Sequence, residues 1–213
     1  MISIKLKILS LVFIITALLS YNASAQNTSF RKIQLIYNIS LDVPSHWIVL
    51  SQASRNNLGA AGQAMMDNSS IEGSSGRKKT LLAMNATPSP TGAMIRVSVT
   101  SPPDYTQADL AAVTKRELRE IGAELLSMFK KLEASGGPKI IEMQPVRLEN
   151  LNNYRVLVMP YIRAGVKGPS PWQVTQYKIP VSNKLIEITL SYRKSDSIVW
   201  KPILERVKRS LRF

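Results

Sequence analysis

The sequence predicts an α+β fold, an antiparallel β-sheet covered by helices. Three observations predict it. Short segments of alternating apolar and polar residues follow one another across tight turns, which is how antiparallel strands connect. Two longer segments repeat apolar residues at three and four positions, each giving one stripe that must be covered. The chain has 213 residues, 45% of them hydrophobic, and no Cys. That is ample for a core built without disulfides.

Leu35 to Val43 alternates, with Leu35, Tyr37, Ile39, Leu41 and Val43 on one side, and reads as one half-buried strand. Pro44 and Ser45 break it, His46 turns the chain, and Trp47 to Leu50 resumes as a short second strand. Ser51 to Asp67 reads weakly as a helix, because Gly59 and Gly62 interrupt it. Asn68 to Gly76 is a polar loop. Thr80 to Ala86 and Met94 to Thr100 are strands joined by the Pro/Gly turn 88–92. Thr106 to Ala134 reads as one long helix. Leu110, Val113, Leu118, Ile121, Leu125, Met128, Phe129 and Leu132 form its stripe, Thr106 with Asp109 resembles a capping box, and Gly136-Gly137-Pro138 ends it. Val146 to Leu148, Tyr154 to Ile162, Trp172 to Ile179 and Leu185 to Tyr192 are further strands, with a tight turn at Ser182-Asn183. The final helix carries Trp200, Ile203, Leu204, Val207 and Leu211 on one side. Pro202 fits only a first turn, so this helix is expected to start near Trp200.

Residues 1–25 read as a cleavable signal peptide: Lys5 and Lys7, an apolar run from Ile8 to Leu19, then Ala23-Ser24-Ala25. The run is shorter than the ~18–20 residues of a membrane span, and an uncleaved anchor is the alternative reading. Residues 26–213 are then a single domain, exported to the periplasm of a Gram-negative host or secreted. The net charge is +14 and lopsided: residues 139–213 hold 14 basic and 5 acidic residues, residues 26–138 hold 12 and 9. A basic half fits an acidic protein or an anionic surface, including peripheral contact with a membrane. The export signal argues against nucleic acid.

The residues offer little chemistry. One His and no Cys nearly exclude a His/Cys metal site. A Ser-His-Asp nucleophile would have to use His46, which follows a strand end and reads as an exposed loop residue. Nucleophile-elbow, phosphate-loop and dinucleotide patterns are absent from the sequence. No catalytic residue, metal or cofactor is assigned. Trp47 and Trp200 read as core. Trp172 follows the Gly/Pro loop that carries Arg163 and Lys167, a possible recognition loop, though Trp172 reads more readily as the packed start of a strand. The candidate interaction surface is Arg163, Lys167 and Trp172 together with Lys208, Arg209 and Arg212 of the last helix.

Two stretches carry a family resemblance. The opening "YNISLDVPSHWIVL", with Pro44 three residues before Trp47, resembles the start of PsbP-like and DcrB-like proteins. The close is similar too: the strand "LIEITLSYRKSD", then a Trp, then a helix ending "ILERVKRSLRF". The matched ends cover about a quarter of the chain. The resemblance implies an α/β/α sandwich around an antiparallel sheet. It also implies binding, assembly or chaperone-like roles, since the group includes photosystem II extrinsic subunits, a Ran-binding protein, a periplasmic phage-adsorption protein and effector chaperones. No binding residue carries over, because none lies in the matched ends, and a fold does not fix a function. The expected role is an exported, non-enzymatic binding or accessory protein acting through its basic C-terminal half. The alternatives are an exported hydrolase dependent on His46, or a binder of a small ligand between the sheet and the Met65/Met66 helix.

Overall fold

A computed structural model describes residues 28–69, 76–88, 91–165 and 170–213. Its strands are β1 (Phe30–Gln34), β2 (Ser40–Pro44), β3 (Ile48–Val49), β4 (Arg77–Asn85), β5 (Ala93–Ser101), β6 (Ile140–Met143), β7 (Arg147–Leu151), β8 (Tyr154–Arg163), β9 (Trp172–Val181) and β10 (Lys184–Arg193). Its helices are α1 (Gln52–Asn68), α2 (Gln107–Ala112), α3 (Lys115–Ala134) and α4 (Ser197–Ser210). Eight strands form one antiparallel sheet in the order β3-β4-β5-β10-β9-β8-β6, with β7 also pairing β8. β6 and β7 lie end to end along β8: Met143 is opposite Tyr161 and Arg147 opposite Val158. β1 and β2 form a separate hairpin.

The alternation along β8 separates the two faces. Val156 and Val158 point into the main core with Tyr177, Ile186, Ile188, Leu204 and Val207 of α4, and Leu211 just after it. Leu157, Met159 and Tyr161 point the other way, toward Leu110 of α2 and Leu118, Ile121, Leu125 and Phe129 of α3. The sheet is therefore the middle layer of an α/β/α sandwich. The β1–β2 hairpin completes the α4 side: the amide of Asp42 donates to Ser210 Oγ at 2.8 Å, and Ser40 exchanges backbone hydrogen bonds with Arg212 at 2.9 Å. Trp47, directly after the hairpin, is 2% exposed and meets the Trp200 ring edge-on, with centroids 5.8 Å apart.

Four local expectations are corrected. Residues 35–43 are not one strand: Tyr37 and Asn38 take left-handed φ values of 64° and 59°, and the alternating pattern runs straight through a β-turn. The long helix is two. Val113 leaves helical geometry, and Thr114 starts α3 with its own capping box, closed by Glu117. β6 was not expected, because its four residues show no alternation of burial. α4 begins at Ser197, with Pro202 inside it. The carbonyl that loses its donor to Pro202 belongs to Ile198, whose side chain is 91% exposed, so water can satisfy it.

Candidate functional site

On the α4 side, the outer strands and the helix leave a cleft of about 300 Å³. β9 supplies Gln173, Thr175 and Tyr177 from alternate positions, and β10 supplies Leu190 and Tyr192. Gln144 and Arg147 come from the β6–β7 edge. One side of α4 supplies Lys201, Leu204, Glu205 and Lys208, the i, i+3, i+4, i+7 spacing that aligns side chains on a helix.

A chain of charges lines this cleft. Arg147 donates twice to Glu149 Oε1, at 2.8 and 3.0 Å. Lys208 Nζ donates to Glu149 Oε2 at 3.0 Å, lies 3.8 Å from Glu205, and sits 5.4 Å from the Tyr177 ring centre. Burial works to raise the Glu149 pKa, but the hydrogen bonds from Lys208 and Arg147 outweigh it and hold the carboxyl below its usual range. Burial, then the negative charges of Glu205 and Glu149, push the Tyr177 phenol up. Burial and Glu205 do the same to Tyr192. At neutral pH the cleft therefore offers ammonium, guanidinium, amide and neutral phenol donors. Lys201 is exposed and is in no ion pair among the described residues.

A second polar group lies on the opposite face. Glu187, 14% exposed, pairs with Lys78 at 2.9 Å and accepts from Thr100 Oγ1 at 3.2 Å. The Tyr105 hydroxyl is buried without a hydrogen-bond partner among the described residues, and burial with the charges of Glu187 and Asp104 pushes its pKa up. Arg96 donates to the Met84 carbonyl at 2.6 Å and to Asn85 Oδ1 at 2.8 Å; burial lowers its pKa to about 10, which leaves it charged at neutral pH. This group holds Glu187 ionised and Tyr105 neutral at pH 7.

The sequence-derived candidates separate. Trp172 is buried with Tyr161 and Val174, and Arg163 stacks 5.2 Å above its ring. Both belong to the α3 side of the sheet, whereas Lys208, Arg209 and Arg212 belong to the α4 side. Lys167 lies outside the described residues. Lys208 is held inside the ion chain, Arg209 is exposed, and Arg212 donates to the carbonyl of Arg209 at 3.0 Å. Trp47 and Trp200 are core partners. The His46 side chain is exposed, and its carbonyl accepts from Thr87 Oγ1 at 2.9 Å. The described residues contain no group of three or more His, Cys, Asp or Glu placed to hold a metal. The cleft escaped sequence reasoning because its lining runs from residue 144 to residue 208 on separate elements. The one visible signal was Lys201, Glu205 and Lys208 falling beside the apolar stripe.

No family model and no curated protein matches the sequence. The fold is similar to the solution structure of cyanobacterial PsbP (CyanoP) from Synechocystis sp. PCC 6803, at 13% identity and a TM-score of 0.54, covering 89% of this chain and 95% of that one. It is more distantly similar to LpqN, involved in cell envelope biogenesis of Mycobacterium tuberculosis (11% identity, TM-score 0.44, 86% of this chain and 89% of that one). The Ran-binding protein Mog1p of Saccharomyces cerevisiae gives 10% identity and a TM-score of 0.40 over 87% and 96% of the two chains. The last two are too distant to carry an argument. The CyanoP likeness establishes the PsbP-like fold, and at that identity the fold alone.

Proposed function

We propose that the protein is an exported, non-catalytic accessory protein whose working site is the cleft beside α4, where it takes an acidic segment of a partner protein. Support for export comes from residues 1–25, whose charged start, apolar run and A-x-A close form a secretory signal. No helix among the described residues is long and apolar enough to cross a membrane.

The observation that carries the binding reading is the cleft's donor set. Arg147, Lys201 and Lys208 face a single lining carboxylate, Glu205, and the two phenols stay protonated donors. Carboxylates entering the cleft would meet charge-assisted hydrogen bonds. The lining holds no Ser, Cys or His, which favours binding over nucleophilic chemistry. Its volume is at the lower end of the ~300–1,000 Å³ typical of ligand pockets, which suits a few side chains of an extended segment.

The test is fluorescence anisotropy with a labelled Asp/Glu-rich peptide and its Asn/Gln counterpart. Binding is expected for the acidic peptide alone, falling steeply as salt rises. Lys201→Glu, at an exposed position, should weaken it about tenfold or more while leaving the melting temperature unchanged. Equal binding of both peptides, or indifference to Lys201→Glu, overturns the reading.

A further inference from the structure

The cleft beside α4 is closed at one end, because α4 crosses the sheet obliquely. Near its start the Trp200 ring packs on Gly92, directly before β5, where a Cβ would lie 2.6 Å from Trp200 Nε1. Near its end Lys208 reaches Glu149 of β7 at 3.0 Å. β10, β9 and β8 lie between β5 and β7, so the helix and the β6–β7 edge converge toward Lys208 and part toward Lys201. The strand register sets the same limit. Along β9 the floor runs through Gln173, Thr175 and Tyr177, and the next residue on that face, Ile179, is fully buried. Arg147 stands opposite Val158, which pairs with Tyr177; Glu149 stands opposite Val156, one step further. The Arg147–Glu149–Lys208 ion chain therefore joins the two walls across the closed end.

A chain can enter such a cleft but cannot run through it without breaking that ion chain. A segment held by its middle would have to turn back inside about 300 Å³, whereas a chain end has only to enter. Glu149 takes the Nε hydrogen and one Nη2 hydrogen of Arg147 and one hydrogen of Lys208. That leaves Arg147 Nη1 and the other Lys208 N–H groups for one more carboxylate at the closed end. Beside this place the floor is apolar: Pro160 and Leu190 flank Thr175, one step before Tyr177, and Leu204 of α4 lines the helix wall. An Asp or Glu side chain brings a carboxylate alone. The last residue of a chain brings a carboxylate and a side chain from one Cα, which matches both features. On the same wall Glu205 separates Lys208 from Lys201, which stands about 10 Å back along the helix, at the open end.

Resting on the binding role proposed above, we infer that the partner's acidic segment enters by its carboxy-terminal end. Its α-carboxylate meets Arg147 and Lys208 at the closed end, its last side chain is apolar and lies on Pro160, Leu190 and Leu204, and its upstream acids meet Lys201 at the mouth.

The test uses the chain as a secreting host releases it and one Asp/Glu-rich peptide ending in Leu, labelled at its amino end. The peptide is made as the free acid and as the carboxamide, and anisotropy titrations compare the two. The carboxamide should bind about tenfold more weakly or worse, and replacing the last Leu by Ser in the free acid should weaken it about fivefold. Arg147→Gln should weaken the free acid about tenfold and leave the carboxamide within about twofold, because only the free acid presents a group to that guanidinium. If Arg147→Gln lowers the melting temperature, the two peptide forms on the unaltered protein still decide. Equal affinity of free acid and carboxamide overturns entry by a chain end, as does an Arg147→Gln effect of the same size on both. Either result leaves the acidic-segment reading standing if the Asn/Gln counterpart still fails to bind. Binding of neither form overturns both.

Discussion

Trp47→Ala should unfold much of what the opening strands contribute. The indole is 2% exposed and packs against Trp200 at 5.8 Å and 74° between planes. Its Nε1 has no hydrogen-bond partner among the described residues, so the loss is one of packing alone. Truncating a buried Trp to Ala costs about 3–5 kcal/mol, of which the edge-on aromatic pair supplies about 0.5–1.5 kcal/mol. A domain stable by about 5–15 kcal/mol would lose a large part of its margin. The Trp200 side cannot close the space freely, because a Cβ at Gly92 would already lie 2.6 Å from Trp200 Nε1. Urea unfolding followed by far-ultraviolet circular dichroism reads the effect as a lower midpoint at constant slope. A cycle with Trp200→Ala should return a coupling of about 0.5–1.5 kcal/mol. His46→Ala is the internal control. It keeps the carbonyl that Thr87 engages and removes only an exposed ring, so a change within about 0.5 kcal/mol is expected. If Trp47→Ala costs less than about 1 kcal/mol, or His46→Ala costs as much as Trp47→Ala, the tryptophan does not anchor this corner.

Two further outcomes test the local physics. Thr114→Ala removes the side chain that accepts from the Glu117 amide at 3.2 Å and should cost about 1 kcal/mol; an unchanged urea midpoint would mean α2 and α3 do not depend on separate caps. Glu187→Gln should flatten the acid limb of stability. Burial works to raise the Glu187 pKa, but Lys78, Lys178 and the hydrogen bonds from Lys78 and Thr100 outweigh it and hold it below the ordinary 4.5. A carboxyl depressed in the native state binds fewer protons there, so its stabilisation is complete above the unfolded value and is lost as pH falls through the native one. Urea midpoints from pH ~5 to ~2 should fall less steeply in the variant, and parallel curves would refute the assignment.

What was legible in the sequence follows from how far each pattern runs. β8, β9 and β10 are each ten residues long, and β9 turns into β10 across Ser182-Asn183, so alternation and turn chemistry agree. The first strand misled for the opposite reason. Tyr37 extends the alternation of Ile39, Leu41 and Val43, yet it sits at a left-handed turn where a bulky residue is uncommon. The break at Thr114 was visible as Thr-x-x-Glu, but the apolar stripe continued across it and dominated the reading. The start of α4 was hidden because Ile198 and Val199 lie off the buried stripe, largely or half exposed, and so add nothing to the periodicity. The α/β/α sandwich was within reach through the Pro-x-x-Trp opening, which now has a physical meaning: Pro44 closes the hairpin opposite Phe30, and Trp47 locks onto Trp200.

The basic half of the chain is not one basic surface, and this bears on where a partner can sit. Of the five acids in residues 139–213, Glu149, Glu187, Asp196 and Glu205 lie within ion-pair distance of Arg147 and Lys208, Lys78, Arg193, and Lys208 respectively. Those pairs fix internal geometry and leave Arg147 and Lys208 only their remaining N–H donors for a ligand, so Lys201 is the cleft-lining cation outside any ion pair among the described residues. Arg163 is spent on Trp172, on the far side of the sheet. Arg206 stacks 3.9 Å over Phe30 and Lys184 lies 4.8 Å from the Tyr37 ring centre, both bracing the hairpin. Among the described residues of 139–213, the exposed α4-side cations left by these contacts are Lys194, Lys201 and Arg209, with Arg31 and Lys32 exposed on the neighbouring hairpin. Net charge sets the long-range field that draws an anionic partner in, but close contact needs cations that are exposed and unpaired. In the basic half that requirement points to the last helix, with the cleft along one side of it.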